Sequence, residues 1–139
     1  MKQFSYTVSF ILLLLGATLT ANAQESPLTV EGATTISADM AKTLHDRGVP
    51  FVDVRTNDLF ETSHIPGATH LELFGVFDEP NLLNAAAKDK EVVIYCAGPG
   101  CKRSSKACTK AVSWGFKKVY YFRGGFPAWR AAGLPTDPP

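Results

Sequence analysis

The sequence predicts a three-layer α/β domain with a mainly parallel central sheet and helices on both faces. Short apolar runs at residues 51–54, 91–95 and 119–122 have the length and composition of buried strands. Segments of helical composition separate these runs, and strands that alternate with helices are typical of parallel pairing. Reactive groups in such sheets gather at the carboxyl ends of the strands.

Taken in chain order, the elements alternate as this architecture requires. A helix is expected to begin near residues 35–39, with Ser37 as its N-cap, and to end at Gly48. After the strand at 51–54 we expect a helix at 56–62, a turn at 64–68, an extended segment at 69–73 and a short helix at 81–87. The clearest strand, 91–95, is followed by a helix at 104–114, the strand at 119–122 and a last helix at 126–132.

The first 23 residues have the pattern of a signal peptide. Lys2 provides a positive start, residues 10–15 are continuously apolar, and Ala21 and Ala23 are small residues at the cleavage positions. A retained anchor is the alternative, but the apolar core is shorter than the roughly 20 residues that span a bilayer. We therefore expect cleavage after Ala23, a periplasmic or secreted protein and no membrane anchor after cleavage. Residues 24–34 are predicted to be a flexible lead-in, 35–135 a single domain and 136–139 a tail.

Composition excludes several classes of function. The chain has 14 Lys and Arg against 13 Asp and Glu, so it lacks the clustered basic excess of a nucleic-acid-binding surface. His45 and His70 have no metal-ligand spacing with each other or with the cysteines. We therefore predict no nucleic-acid partner, no metal site and no cofactor.

The strongest candidate for chemistry is Cys96, which directly follows the strand at 91–95. A cysteine reacts as its thiolate, so a reactive cysteine needs a lowered pKa. The loop after Cys96 leads into a helix N-terminus, where backbone N–H groups favour negative charge. Gly98 and Gly100 allow the loop to curl so that its amides form an anion-binding nest.

Three further residues of this loop are candidates for binding an anionic substrate. Lys102 and Arg103 add positive charge, and the Arg103 guanidinium can hold an oxyanion with two parallel hydrogen bonds. Ser104 is a candidate cap of the following helix and part of the same binding loop.

The chain has three cysteines, and an odd number in an exported protein leaves at least one thiol unpaired. Cys101 has three interpretations: a disulfide partner of Cys96, a resolving thiol that attacks a persulfide on Cys96, or a passive loop residue. Cys108 lies within the predicted helix and is interpreted as a small core residue.

Several motifs, in the same order along the chain, resemble the rhodanese family. They are Asp53-Val54-Arg55, the Ser-His-Ile-Pro-Gly-Ala turn at 63–68, the strand ending at Cys96, Gly124-Gly125, and the segment from Ala128-Trp129 to Pro135. The resemblance covers nearly the whole chain after residue 23. It implies a rhodanese-like fold, with Cys96 as the active-site cysteine. Asp53 and Arg55 are interpreted as a structural pair that supports the end of their strand.

The active-site loop departs from the family pattern. Sulfurtransferase members have arginine or serine five positions after the cysteine, whereas phosphatase and arsenate-reductase relatives have arginine six positions after it. Here Lys102 is at position six and Arg103 at position seven, and Tyr95 replaces the histidine that precedes the cysteine in the phosphatase-like members. The longer loop predicts room for a polysulfide or a protein persulfide, and the arginine register disfavours a phosphatase or arsenate reductase.

The resemblance therefore implies a sulfurtransferase that moves sulfane sulfur from thiosulfate or a persulfide donor to a thiol, or to cyanide in an assay, through a Cys96 persulfide. The expected partners are a small anionic sulfur donor and a thiol acceptor. Two alternatives remain open. The first is a sulfur carrier without turnover that serves an exported protein partner. The second is a dithiol redox protein that uses Cys96 and Cys101.

Overall fold

The computed structural model describes residues 24–138. Its strands are β1 (Ala33–Thr35), β2 (Phe51–Asp53), β3 (Thr69–His70), β4 (Glu91–Tyr95) and β5 (Lys118–Phe122). Its helices are α1 (Ala38–Asp46), α2 (Asn57–Thr62), α3 (Glu79–Ala85), α4 (Arg103–Ser113) and α5 (Gly125–Ala131). The predicted signal peptide lies outside the described residues.

The five strands form one sheet in the order β1-β5-β4-β2-β3, and every neighbouring pair is parallel. All carboxyl ends therefore lie at one edge. In the paired register Tyr95 lies between Asp53 of β2 and Phe122 of β5. The loops after these three central strands consequently meet at one place, which is where Cys96 follows Tyr95.

Helices cover both faces of the sheet, so the predicted three-layer α/β fold is confirmed. On one face, α3 and α4 bury Leu82, Ala107 and Ala111 against β-strand residues such as Val92. On the other face, α1 and α5 bury a second set of apolar side chains, which includes Leu44, Phe51, Val93 and Trp129. The strands bury side chains on both faces because each face is covered by helices.

Local capping explains where two of these helices begin. The Ser37 side chain accepts a hydrogen bond from the Met40 amide at the start of α1, as predicted. Asp78 caps α3 in the same way through the Asn81 amide. The helix after Cys96 begins at Arg103 with Lys102 at the N-cap, whereas the sequence favoured a serine cap.

The two predicted ends of the domain differ from the structure. Residues 24–34 contact the domain at a few points: Ser26 and Val30 are buried, Ala33 and Thr34 belong to the edge strand β1, and most of the remaining residues are exposed. At the other end, Asp137 exchanges two backbone hydrogen bonds with His64. The sequence missed both because these segments are short and polar, and they are held by backbone hydrogen bonds rather than by an apolar pattern.

Within residues 24–138, no helix combines the length and the apolar character needed to cross a membrane.

Candidate active site

Cys96 lies at the carboxyl end of β4 and is completely buried. Its Sγ atom accepts a hydrogen bond from the Ser104 amide at 3.3 Å, and the thiol donates to Ser104 Oγ at 3.1 Å. The Cys101 carbonyl oxygen is 3.5 Å from the same sulfur. Ser104 is in the first turn of α4, so the positive end of that helix points at the sulfur. The two Ser104 hydrogen bonds act to lower the pKa of Cys96, although other contacts of the same thiol outweigh them.

The two loop thiols interact directly, and this redistributes the negative charge. Hydrogen bonding to Cys101 and burial raise the pKa of Cys96 well above the ordinary thiol value. The hydrogen bond from Cys96, the Ala97 and Arg103 amides and the Arg103 charge lower the pKa of Cys101 to about 5. The pair therefore shares one proton at neutral pH, and its titration belongs to both residues together. The sequence predicted a lowered pKa at Cys96 itself, whereas the contacts in the structure raise the pKa of Cys96 and lower that of its half-buried neighbour.

The course of the loop depends on two glycines in a left-handed backbone conformation. Gly98 has a φ of +109°, which fits the predicted curl, whereas Gly100 is not in that region. Gly125 has a φ of +58°, and a Cβ there would lie 2.2 Å from the Cys96 carbonyl oxygen. The neighbouring Phe126 amide donates to that same carbonyl at 3.0 Å. The start of α5 thus fixes the start of the Cys96 loop through close backbone contact.

Lys102 and Arg103, the two predicted cationic ligands, have different surroundings in the structure. Lys102 is exposed and has no side-chain capping bond. Arg103 pairs with Glu72 at 3.3 Å, and its guanidinium lies 4.8 Å from the Phe74 ring centroid. Its contribution near the thiols is its amide and its charge beside Cys101. The sequence could not show this because Glu72 and Phe74 are distant along the chain.

Asp53 and Arg55 form a buried ion pair beside the loop, as the sequence predicted. Arg55 donates from Nε and Nη2 to the Asp53 carboxylate at 2.7 to 3.0 Å, and from Nη2 to the Ser63 carbonyl at 2.8 Å. The guanidinium also lies 4.4 Å from the Phe126 ring centroid. The pair ties the end of β2 to the 63–68 turn and to α5, because one planar cation contacts all three.

A pocket of about 250 Å³ opens beside the loop, next to Ala97. It is lined by Arg55, Leu59, Thr62, Ser63, Ala97, Phe126, Pro127 and Arg130. Its walls are mainly apolar. Arg130, whose guanidinium is 5.9 Å from the Phe126 ring centroid, has no carboxylate partner within ion-pair distance among residues 24–138. Sequence reasoning missed this pocket because Leu59 and Arg130 carry no motif and meet only in the folded chain.

Cys108 is buried in the core between α4 and the sheet, as predicted. Burial alone raises the pKa of its thiol. Among residues 24–138 it has no polar partner that would stabilise a thiolate, so we interpret it as a packing residue.

Comparison with known proteins agrees with this geometry. The family model described as the rhodanese-like domain matches residues 37–132. The chain belongs to the rhodanese-like domain family. This match includes Cys96, the loop, α4 and the whole of α5, and it begins after β1.

Two relatives that are similar in sequence to this chain carry different names. Thiosulfate sulfurtransferase GlpE of Pseudomonas syringae is 35% identical over 95 residues, which cover 68% of this chain and 85% of that protein. Protein HIGH ARSENIC CONTENT 1, mitochondrial, of Arabidopsis thaliana is 30% identical over 125 residues, which cover 84% of this chain and 73% of that protein. Among solved structures, the rhodanese-like domain of the Anabaena Alr3790 protein is 26% identical with a TM-score of 0.62, covering 77% of this chain and 79% of that one. These likenesses place the chain in the sulfurtransferase superfamily.

Proposed function

We propose that this rhodanese-like protein is a sulfurtransferase that carries sulfane sulfur on Cys96. The observation that carries the proposal is the Ser104 amide at the head of α4, which points at Cys96 Sγ from 3.3 Å. A persulfide at Cys96 would keep its negative charge beside this helix end. The similarity to a thiosulfate sulfurtransferase supports thiosulfate, or a persulfide of similar charge, as the donor.

The transfer has two balanced steps. Cys96 thiolate attacks the outer sulfur of thiosulfate; a bond forms between the two sulfurs, the thiosulfate S–S bond breaks, and sulfite leaves with the bonding electrons. Cys101 has the lower pKa and is therefore the ionised thiol of the pair, so it is the group beside Cys96 that can take up the Cys96 proton as the attack begins. In the second step an acceptor thiolate attacks the outer persulfide sulfur, and Cys96 leaves as a thiolate.

A sulfur donor that approaches Cys96 from solvent has to pass Cys101. Cys96 is completely buried, whereas Cys101 is partly exposed, so a donor reaches Cys96 when the Cys101 side chain moves aside. The pocket beside Ala97, the residue next to Cys96, has mainly apolar walls and contains the Arg130 cation. We propose that this pocket receives the acceptor, as a thiol with an apolar body and an anionic group.

Intact-protein mass spectrometry of the full chain, reduced and then treated with thiosulfate, tests the sulfurtransferase proposal. We expect the wild type and Cys101→Ser to gain one sulfur atom and Cys96→Ser to gain none. Gain of sulfur by Cys96→Ser would overturn the assignment. Release of that sulfur to small thiols distinguishes an enzyme from a carrier, because a carrier would hold a stable persulfide without turnover.

The contact between the thiols favours a second candidate function, a dithiol redox role. Oxidation of Cys96 and Cys101 by a disulfide of another molecule would form a disulfide between them, and the two protons and two electrons would reduce the oxidant to two thiols. Both cysteines are free thiols in the structure. A Cys96–Cys101 linked peptide after mild oxidation, together with no sulfur gain from thiosulfate, would favour this function over sulfur transfer.

We also propose that the protein is exported after cleavage behind Ala23. The positive start and apolar run of residues 1–23 support this. Expression of the full chain in a bacterial host, followed by mass measurement of the periplasmic protein, tests it. The expected product begins at Gln24, and an uncleaved protein retained in the cytoplasm or the membrane would contradict the proposal.

A further inference from the structure

A segment outside the matched family region lies directly against the Cys96 loop. Ser26 is 3% exposed, although it precedes the family match by eleven positions. Its amide donates to the Pro99 carbonyl at 2.7 Å, and its hydroxyl donates to the same oxygen at 2.8 Å. Two donors of one residue thus converge on one acceptor in the middle of the active-site loop.

The loop needs such an external contact because its middle has little packing of its own. Pro99 and Gly100 are exposed, and nothing lies within 4 Å of a Cβ placed on Gly100. The two ends of the loop are held by backbone bonds, from Phe126 to the Cys96 carbonyl and from Cys101 to the Gly98 carbonyl. Ser26 provides both hydrogen bonds that the Pro99 carbonyl receives within the described chain.

Ser26 is itself fixed to the sheet. Arg123, which directly follows β5, donates from Nε and Nη2 to the Ser26 carbonyl at 3.2 and 3.0 Å. The Tyr121 hydroxyl donates to the Pro27 carbonyl at 3.0 Å. Because β5 is paired with β4, these bonds connect the position of Ser26 to the strand that carries Cys96.

We propose that Ser26 is a positioning residue that holds the Cys96 loop in the conformation required for sulfur transfer. The inference rests on the proposed sulfurtransferase function. Ser26 acts through the Pro99 carbonyl: by fixing the middle of the loop it keeps the Ala97 and Arg103 amides directed at the thiol pair. It contacts neither Cys96 nor a substrate.

The test compares three variants of the full chain. Ser26→Ala removes the hydroxyl donor, Ser26→Thr restores one, and Thr35→Val removes a hydroxyl bond from the same segment to the Leu28 carbonyl, which does not belong to the loop. We expect Ser26→Ala to lower kcat/KM for thiosulfate by about 3- to 10-fold, the effect of one hydrogen bond of ordinary strength. Ser26→Thr should recover most of this loss, and Thr35→Val should stay within about twofold of the wild type.

A second readout does not depend on sulfur transfer. The pH dependence of Cys101 alkylation reports whether the loop amides still lower its pKa, and we expect its midpoint to rise in Ser26→Ala alone. If the wild type transfers no sulfur, the proposed function fails, and the alkylation profile still decides the role of Ser26. Unchanged kinetics and an unchanged profile in Ser26→Ala would overturn the positioning role. Equal losses in Ser26→Ala and Thr35→Val would also overturn it, because they would indicate a general effect on stability.

Discussion

Cys96 and Cys108 are both completely buried, and both contribute to the core between the sheet and α4. Burial raises the pKa of each thiol, yet their surroundings differ. Cys96 meets the Ser104 amide and hydroxyl and the thiol of Cys101, whereas Cys108 meets apolar groups. The comparison teaches that polar partners at a strand end and a helix start, and not exposure, distinguish the candidate nucleophile from a packing residue.

The largest expected effect separates the two cysteines by activity. Cys96→Ser should lower sulfur transfer from thiosulfate to cyanide by at least about 10³-fold, because it removes the nucleophile. Cys108→Ala should leave transfer within about twofold of the wild type and cost about 1 to 2 kcal/mol of stability through the lost core contacts. Sulfite release measures the activity, and urea unfolding measures the stability. Comparable losses of activity in both variants would remove the distinction.

The next prediction concerns the close backbone contact between Gly125 and the Cys96 carbonyl. Gly125→Ala should destabilise the fold by about 2 to 5 kcal/mol, because a Cβ would overlap the Cys96 carbonyl and the residue has a positive φ. Gly133→Ala is the matched control: its φ is +71°, but nothing lies within 4 Å of a new Cβ, so strain alone should cost about 1 to 2 kcal/mol. If Gly125→Ala and Gly133→Ala had equal free energies of unfolding, the overlap of a new Cβ with the Cys96 carbonyl would add nothing to the loss of stability.

The sequence predicted the part of this site that depends on local pattern. The apolar run at 91–95 matches β4, and the cysteine behind it is at the sheet edge where the central strands end. The paired Asp53 and Arg55 and the core position of Cys108 were also predictable, because each follows from a residue type within an element. These features need only knowledge of neighbours along the chain.

Contacts between distant segments were not predictable in the same way. Arg103 turns to Glu72, 31 positions away, and Ser26 meets Pro99, 73 positions away. The sharing of a proton between Cys96 and Cys101 depends on the loop conformation rather than on their spacing. The edge strand β1 was missed because three half-exposed or exposed residues, Ala33–Thr35, give no apolar signal.

Removal of Cys101 sharpens the comparison through pKa values. In the wild type the pKa of Cys101 is about 5, so its alkylation should remain fast at neutral pH and decline as pH falls through that value. Cys101→Ala removes the largest cause that raises the pKa of Cys96, and the alkylation midpoint of Cys96 should therefore fall by more than about one pH unit. Cys108 should remain unmodified in both proteins until they unfold. Alkylation followed by peptide mass mapping measures all three thiols, and an unchanged Cys96 midpoint would contradict the coupling.

The smallest expected effect concerns the Ser104 hydroxyl, a polar contact that distinguishes the surroundings of Cys96 from those of Cys108. Ser104→Ala removes the hydroxyl that contacts Cys96 Sγ but keeps the amide donor, so we expect sulfur transfer to fall by about 3- to 10-fold, as for one hydrogen bond. Ser105→Ala is a close control, because its hydroxyl donates to the Lys102 carbonyl and not to Cys96. If both variants lose activity equally in a steady-state thiosulfate assay, the effect comes from the start of α4 as a whole. A loss confined to Ser104→Ala would mean that a single hydroxyl contributes to the reactivity of a buried thiol.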